Sequence, residues 1–409
     1  MNENKLKEYA RLICEVGVNI QKGQDVRINV SIEHHKLAEL IVEKAYEMGA
    51  RKAVVKWNDD VINRLNLINQ SIETLSEVNN ELEGMYKDDL ERFPVNIHIL
   101  SSDPDVYKGI DINKLTEPRK NRYPLLKKYI DEIDSVSQWV IVAMPSVPWA
   151  KKMYPALSDD EAYNKLEEAI LKTMRMNEGD SFENWKQHTD SLNKHAEILN
   201  KLDIDELHYT SGNGTDFRVK KHPEAVFSSA EMKMKNGHIC FANMPSEELF
   251  TLPLKDSANG IVYATKPLSY NGNLIENFSV RFENGKAVEV KAEKGIEHLE
   301  EMIRMDEGSA YLGEIALVPY DSPINQIGSL FYNTLFDENA ACHIAFGEAY
   351  PCLKGGQEMT KEELKARGLN DSITHVDFMV GTPDLSVVGT THDGREIPVF
   401  VNGNFSPEI

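Results

Sequence analysis

The opening part of the chain switches back and forth between two hydrophobic periods. Leu6, Tyr9, Ala10 and Ile13 recur at helical spacing; after Gly17 and Gly23, Val26-Arg27-Ile28-Asn29-Val30 reads as a strand. Residues His34 to Met48 carry Leu37, Leu40, Ile41, Ala45 and Met48 along one side, stop at Gly49 and lead into Ala53-Val54-Val55-Lys56-Trp57. A strand, a helix and a strand at these lengths match a parallel crossover unit. Helical stretches from Ile72 to Arg92 and Ile112 to Ile133 then alternate with strands at Val95–Leu100 and Trp139–Met144. The spacing predicts an α/β N-terminal domain with a mainly parallel sheet. Lys151 to Leu202 reads as mostly helical and ends in a long connecting helix from Trp185, which places this domain at residues 1–203.

From Glu206 the texture changes to short strands cut by turns: Leu207–Thr210, Phe217–Val219, Gly260–Thr265, Phe278–Phe282 and Ala287–Lys291. Asn213-Gly214, Asn236-Gly237, Asn284-Gly285 and Asp393-Gly394 fall where tight turns between antiparallel strands belong. Residues 204–409 are therefore expected to form a β-rich α+β C-terminal domain carrying the candidate metal site, with helices near Ile296–Met305 and Ser329–Phe336.

Composition narrows the class. At 409 residues the chain exceeds the usual size of a single core, which agrees with two domains. A formal net charge of -21 argues against nucleic acid or an anionic membrane as partner, because phosphate binding rests on Lys and Arg. Four cysteines without a Cys-x-x-Cys spacing suggest reduced thiols. The first residues lack the apolar core of a signal peptide, and Trp139–Met144 is too short to span a bilayer. The expectation is a soluble, cytoplasmic protein whose partners are small molecules or itself.

Potential metal ligands gather between Gly313 and Asp377. Glu314 lies inside the apolar run Leu312-Gly313-Glu314-Ile315-Ala316-Leu317, where a structural ion pair and a metal ligand are both reasonable readings. His343 stands between Cys342 and Ile344-Ala345-Phe346, and His375 and Asp377 are two apart, so on a strand both point to one face. Imidazoles and carboxylates in apolar settings match what Zn, Co and Mn accept, and the carboxylate share is high enough for two ions. Glu247-Glu248 could open a helix after Ser246, but Leu249-Phe250-Thr251-Leu252 continues like a strand. His188 and His195, seven apart on the connecting helix, read as solvated or packing residues. Ser211-Gly212-Asn213-Gly214-Thr215-Asp216 reads as a β-turn rather than a phosphate cradle, and there is no Gly-x-Ser-x-Gly elbow.

Several longer motifs then resemble one family. Asn243-Met244-Pro245-Ser246-Glu247-Glu248-Leu249-Phe250-Thr251, Gly313-Glu314, Asp337 through Ala345, His375-Val376-Asp377-Phe378-Met379 and Asn402-Gly403-Asn404-Phe405 resemble the M29 metallo-aminopeptidases. So do Pro148 through Pro155, Ser211 through Asp216 and the opening from Tyr9 to Gly49, so that the likeness covers essentially the whole chain. The resemblance implies two divalent metal ions in the C-terminal domain, commonly zinc or cobalt with Mn or Mg as alternatives, a homodimer, and release of N-terminal residues from peptides with a free N-terminus. The family's ligands fall on Glu248, Glu314, His343, Tyr350, His375 and Asp377; Glu247 and Glu248 are adjacent and can exchange roles. One departure is Ala341, where many relatives have Ser.

The chemistry expected of such a site is a water acidified by two cations, with Glu247 as the proton carrier and Tyr350 as a ligand or a donor to the oxyanion. Two other classes compete. A dinuclear phosphoesterase would use a similar ligand set but should hold phosphate with basic residues, and this region has few besides Lys354 and Arg367. A non-catalytic metal-binding protein would take up metal without turnover.

Overall fold

A computed structural model describes residues 1–409, apart from the side chain of residue 357. The chain forms two compact units: Met1–Trp185 with Glu231–Pro245, and Lys186–Ala230 with Ser246–Ile409. This division differs from the expected one at 203/204 in two ways. It falls within the connecting helix, and a later segment returns to the first unit.

The first unit opens with helix α1 (Glu3–Leu12), strand β1 (Asp25–Ser31), α2 (His35–Glu47) and β2 (Lys52–Asn58). Then come α3 (Asp60–Asn69), α4 (Ile72–Leu75), α5 (Asn80–Arg92), β3 (Val95–Leu100), α6 (Ile112–Val136), β4 (Trp139–Ala143), α7 (Val147–Met153), α8 (Asp159–Thr173) and α9 (Ser181–Lys201), which passes into the second unit after Trp185. The strands form one wholly parallel sheet in the order β2-β1-β3-β4. Alternate residues Val26, Ile28, Val30, Ile97, Ile99, Val140 and Val142 are buried, as the period-two pattern requires of a face packed on helices.

The single helix expected over Ile72–Arg92 is broken in two. Ser71 and Asn79 each turn a side-chain oxygen onto a backbone N–H three residues ahead, so each starts a helix of its own. Helix α3 was not anticipated. It buries none of its residues and leaves Val61, Ile62, Leu65 and Ile68 exposed, so it carries no inward stripe to be read.

After two strands of the second unit, β5 (Ile204–Thr210) and β6 (Asp216–Lys220), the chain returns with the hairpin β7 (Glu231–Lys233) and β8 (Ile239–Phe241). Ile141 N–H donates to Ala242 O at 2.8 Å and Met244 N–H to Ile141 O at 3.0 Å, which extends the sheet beyond β4. Partners about a hundred residues apart leave no local trace in the sequence, which is why the boundary expected at 203/204 could not anticipate this return.

The rest of the second unit runs through β9 (Leu249–Thr251), β10 (Asn259–Tyr263), β11 (Leu268–Tyr270), β12 (Asn273–Ile275), β13 (Ser279–Glu283), β14 (Lys286–Lys291), α10 (Ile296–Met302) and β15 (Leu312–Leu317). It continues with α11 (Thr334–Asp337), β16 (His343–Gly347), α12 (Lys361–Ala366), β17 (His375–Met379), β18 (Ser386–Thr391), β19 (Glu396–Val401) and β20 (Asn404–Phe405). An eight-stranded antiparallel sheet has the order β14-β13-β10-β6-β5-β18-β19-β20, and a four-stranded antiparallel sheet the order β17-β16-β15-β9. The four turn dipeptides named above, Asn213-Gly214, Asn236-Gly237, Asn284-Gly285 and Asp393-Gly394, join antiparallel neighbours: β5 to β6, β7 to β8, β13 to β14 and β18 to β19.

One core joins the two sheets. Leu207, Tyr209, Phe217, Val262, Val280, Phe282, Val387 and Phe400 come from the larger sheet, and Ile315, Leu317, Ile344, Phe346 and Phe378 from the smaller. Phe282 and Phe346 meet across it with ring centroids 5.8 Å apart. The helix expected at Ser329–Phe336 shrinks to the single turn α11. The Asp337 carboxylate accepts from Phe331 N–H at 2.7 Å and Asn333 N–H at 3.0 Å, which folds the preceding residues into a turn instead.

Candidate metal centre

The small sheet has one face in the core and one face of different chemistry. Ile315, Leu317, Ile344, Phe346 and Phe378 point to the core, so the intervening positions on β15, β16 and β17 point the other way. These are Glu314 and Ala316, then His343, Ala345 and Gly347, then His375, Asp377 and Met379. Glu314 and Asp377 both pair with Ala345, while Ala316 and Met379 both pair with His343. The residues between the polar ones are small, and that leaves room beside them. Gly313 lets the backbone after β16 come close, since a Cβ there would lie 2.2 Å from Glu348 O. The strand bulges at this point, between Leu312 and Glu314.

Glu248 joins from the edge of the sheet. The segment Ser246-Glu247-Glu248 does not open a helix; it runs straight into β9, whose Leu249 pairs with Leu317. Nε2 of His343 lies 3.2 Å from Glu248 Oε2, 3.3 Å from Glu314 Oε1 and 3.9 Å from Asp377 Oδ1. Nε2 of His375 lies 3.6 Å from Glu314 Oε2 and 3.3 Å from Asp377 Oδ1. Two groups of potential ligand atoms result, Glu248 with Glu314 and His343, and Glu314 with His375 and Asp377. Glu314 belongs to both.

Four of these five residues are buried, and His375 is nearly so. A fourth carboxylate, Glu338, is buried close enough to Asp377 and Glu248 for their charges to act on it. Burial first, then these neighbouring carboxylates, hold Glu338 well above the usual carboxylate range, and burial and Glu248 raise Glu314. Burial alone would depress both imidazoles, but the surrounding carboxylates outweigh it. His343 is raised well above its ordinary value, and His375 to about 10, mainly by Asp377. Burial opposes ionisation of Asp377 too, yet His375 and His343 hold it below the ordinary range.

Burial drives Glu338 towards its neutral form, and two imidazoles cannot neutralise the other three buried carboxylates even when both are protonated. Divalent cations can. The detailed geometry fits the same group. His343 Nε2 and Asp377 Oδ1 are buried without a hydrogen-bond partner of good geometry among the described residues. His375 Nδ1 lies 2.8 Å from Glu348 O, and a carbonyl can only accept, so Nδ1 carries the proton and Nε2 is left to bind a metal.

Tyr350 follows β16 and stands with its ring 4.6 Å from that of His375. As a residue it is 44% exposed. Burial around its hydroxyl, and then Glu314 and Asp377, push its pKa well above 10. Glu247, 6% exposed, lies next to Glu248 and 3.9 Å from His188 Nε2. The sequence reading thus finds its seven named residues together or adjacent, but it misses Glu338 and His188. Glu338 sits in a quoted motif with no spacing that separates it from Asp337, and His188 had been read as a packing or solvated residue.

The comparisons with known proteins agree with this site. The family model of the thermophilic metalloproteases (M29) matches residues 2–405. The chain is 45% identical over 406 residues to aminopeptidase AmpS of Bacillus subtilis (strain 168), covering 98% of each. It is 37% identical over 409 residues to aminopeptidase 2 of Geobacillus stearothermophilus, covering 100% of this chain and 99% of that one. Among solved structures it resembles wild-type AmpT from Thermus thermophilus with a TM-score of 0.89 at 35% identity, covering 98% of this chain and 99% of that one. The fold and site define a two-unit α/β protein with a carboxylate and imidazole centre suited to divalent metal. The chain belongs to the M29 family of metalloproteases.

Proposed function

We propose that this protein is a metal-dependent aminopeptidase that hydrolyses the N-terminal peptide bond of peptides. The observation that carries the reading is the shared position of Glu314 between two ligand groups, which is how a pair of ions is held side by side. Glu248, Glu314 and His343 would hold one ion, and Glu314, His375 and Asp377 the other, with zinc or cobalt the best match to this ligand set and Mn or Mg the alternatives. When bound, the pair supplies Lewis acidity towards the scissile carbonyl and lowers the pKa of water.

The remaining steps fall to the chain's own side chains. Glu247 takes the proton of the attacking water and returns it to the leaving amine. The Tyr350 hydroxyl, kept protonated by burial and the nearby carboxylates, donates to the oxygen that gains charge. The excess of carboxylates favours a substrate with a positive end, which a free N-terminal amine supplies. The family likeness further supports a cytoplasmic homodimer. No helix among the described residues is long and apolar enough to cross a membrane.

A phosphoesterase would need cations to hold phosphate, but Arg367 is engaged by Glu224. The deciding experiment is hydrolysis of aminoacyl amides, free and N-acetylated, by chelated protein and after adding Zn, Co, Mn or Mg. Cleavage of the free amines only, lost on chelation and restored by metal, is the expected result. Cleavage of phosphate esters, or metal uptake without turnover, would replace this reading by one of the other two.

A further inference from the structure

Both polar atoms of one peptide unit, that between Ser246 and Glu247, are gripped by side chains from distant parts of the second unit. Glu247 N–H donates to Asn339 Oδ1 at 2.7 Å, and Ser246 O lies 2.7 Å from His188 Nε2. A carbonyl oxygen has no proton to give, so His188 Nε2 is the donor. Asn339 is fully buried, and its orientation is set from its other end, where Nδ2 donates to Leu335 O at 3.1 Å. The same His188 Nε2 lies 3.9 Å from Glu247 Oε2, so the ring sits beside the carboxylate as well as behind its peptide.

This grip has a reason in the local structure. Glu314, His343, His375 and Asp377 are aimed by strands, whose alternation leaves each one face to point to. Glu247 and Glu248 precede β9, whose pairing with β15 begins at Leu249, so the sheet does not aim them in the same way. Two consecutive carboxylates with different tasks need their shared backbone held, since a turn of that peptide would offer the wrong one to the ligand group.

We propose that His188 is a positioning residue: its Nε2–H, acting with Asn339, locks the Ser246–Glu247 peptide so that Glu248 reaches His343 while Glu247 stays beside the centre to carry the proton. This rests on the assignment of Glu247 as proton carrier. A glutamine at position 188 can present an amide N–H at about the reach of Nε2, whereas an asparagine is one methylene shorter, and both remain polar and smaller than the imidazole.

The test compares His188→Gln, His188→Asn and Glu247→Gln in the metal-loaded, full-length protein. Four quantities are measured: kcat and KM on an aminoacyl amide, bound metal, and hydrogen–deuterium exchange of the Glu247 amide. His188→Asn should lower kcat by roughly tenfold to a hundredfold with KM nearly unchanged, keep its metal, and speed exchange at Glu247. His188→Gln should recover most of both kcat and protection. Equal rates in the two His188 variants and wild type, with Glu247→Gln slow, would overturn the positioning role and leave the base assignment standing. Equally slow His188 variants would overturn it in favour of ring packing, and a fall in rate in His188→Asn that lost metal accounts for in full would overturn it in favour of support for Glu248 alone. Wild-type activity in Glu247→Gln would remove the base assignment and this proposal together.

Discussion

Glu314 and Asp377 stand in one row of the small sheet, each paired with Ala345 on the strand between them. The two carboxylates therefore face one space across a methyl group, and Glu314 reaches both imidazoles from there, with Oε1 towards His343 and Oε2 towards His375. A side chain placed to serve two groups should be harder to lose than one that serves a single group.

Metal stoichiometry should reveal this. After dialysis and elemental analysis, Glu314→Ala is expected to lose both ions, whereas His343→Ala and His375→Ala should each lose chiefly one. Two ions retained in Glu314→Ala would separate the centres and remove the shared carboxylate.

The neighbouring glutamates should fail in different ways. Glu247→Gln is expected to cut kcat by about a hundredfold or more with metal retained, because the group lost moves a proton. Glu248→Gln should instead lower metal content. The opposite pattern would exchange the two assignments.

Tyr350→Phe removes a hydroxyl but little volume. A fall in kcat of about tenfold to a hundredfold, with both ions still present, is expected of a lost donor to the oxyanion. A missing metal equivalent in this variant would make Tyr350 a ligand instead.

Acid should weaken the first unit through His34. The residue is 6% exposed, its Nε2 has no hydrogen-bond partner among the described residues, and burial, with a small effect of His35, lowers its pKa to about 4. Above pH 6.5 the ring is neutral whether the chain is folded or not, and it adds nothing to the pH dependence. Between 6.5 and about 4 the unfolded chain takes up a proton that the folded one refuses, so stability falls as pH falls. The full loss is on the order of 3 kcal/mol and levels off below the folded pKa. Denaturant unfolding of wild type and His34→Gln at several pH values should show a shallower acid slope in the variant. Parallel slopes would mean that the ring takes up its proton in the fold as it does in the unfolded chain.

Much of this was legible because it is local. Val26 through Val30 and His34 through Met48 announce a strand and a helix by their own periods, and the Asn-Gly and Asp-Gly dipeptides mark hairpins by the backbone conformations they tolerate. The two-residue spacing of His375 and Asp377 fixes their common face as soon as the segment is a strand. Helix α3 escapes notice because its apolar residues face outward, and the break at 76–79 because the cap residue Asn79 lies inside a stretch whose apolar spacing reads as one helix.

From its residues alone, then, the chain declares the strands of the parallel sheet, several of the later strands and the turns between them, and that Glu314, His343, His375 and Asp377 are polar groups set in apolar runs and so in need of partners. It could not declare which groups meet. Glu338 joins the centre, His188 and Asn339 grip the peptide before Glu247, and residues 242–244 bond to the edge of the parallel sheet only through pairings between remote segments. Periodicity is set by neighbours along the chain, whereas such meetings depend on how the sheets stack, and that depends on the packing of every core residue at once.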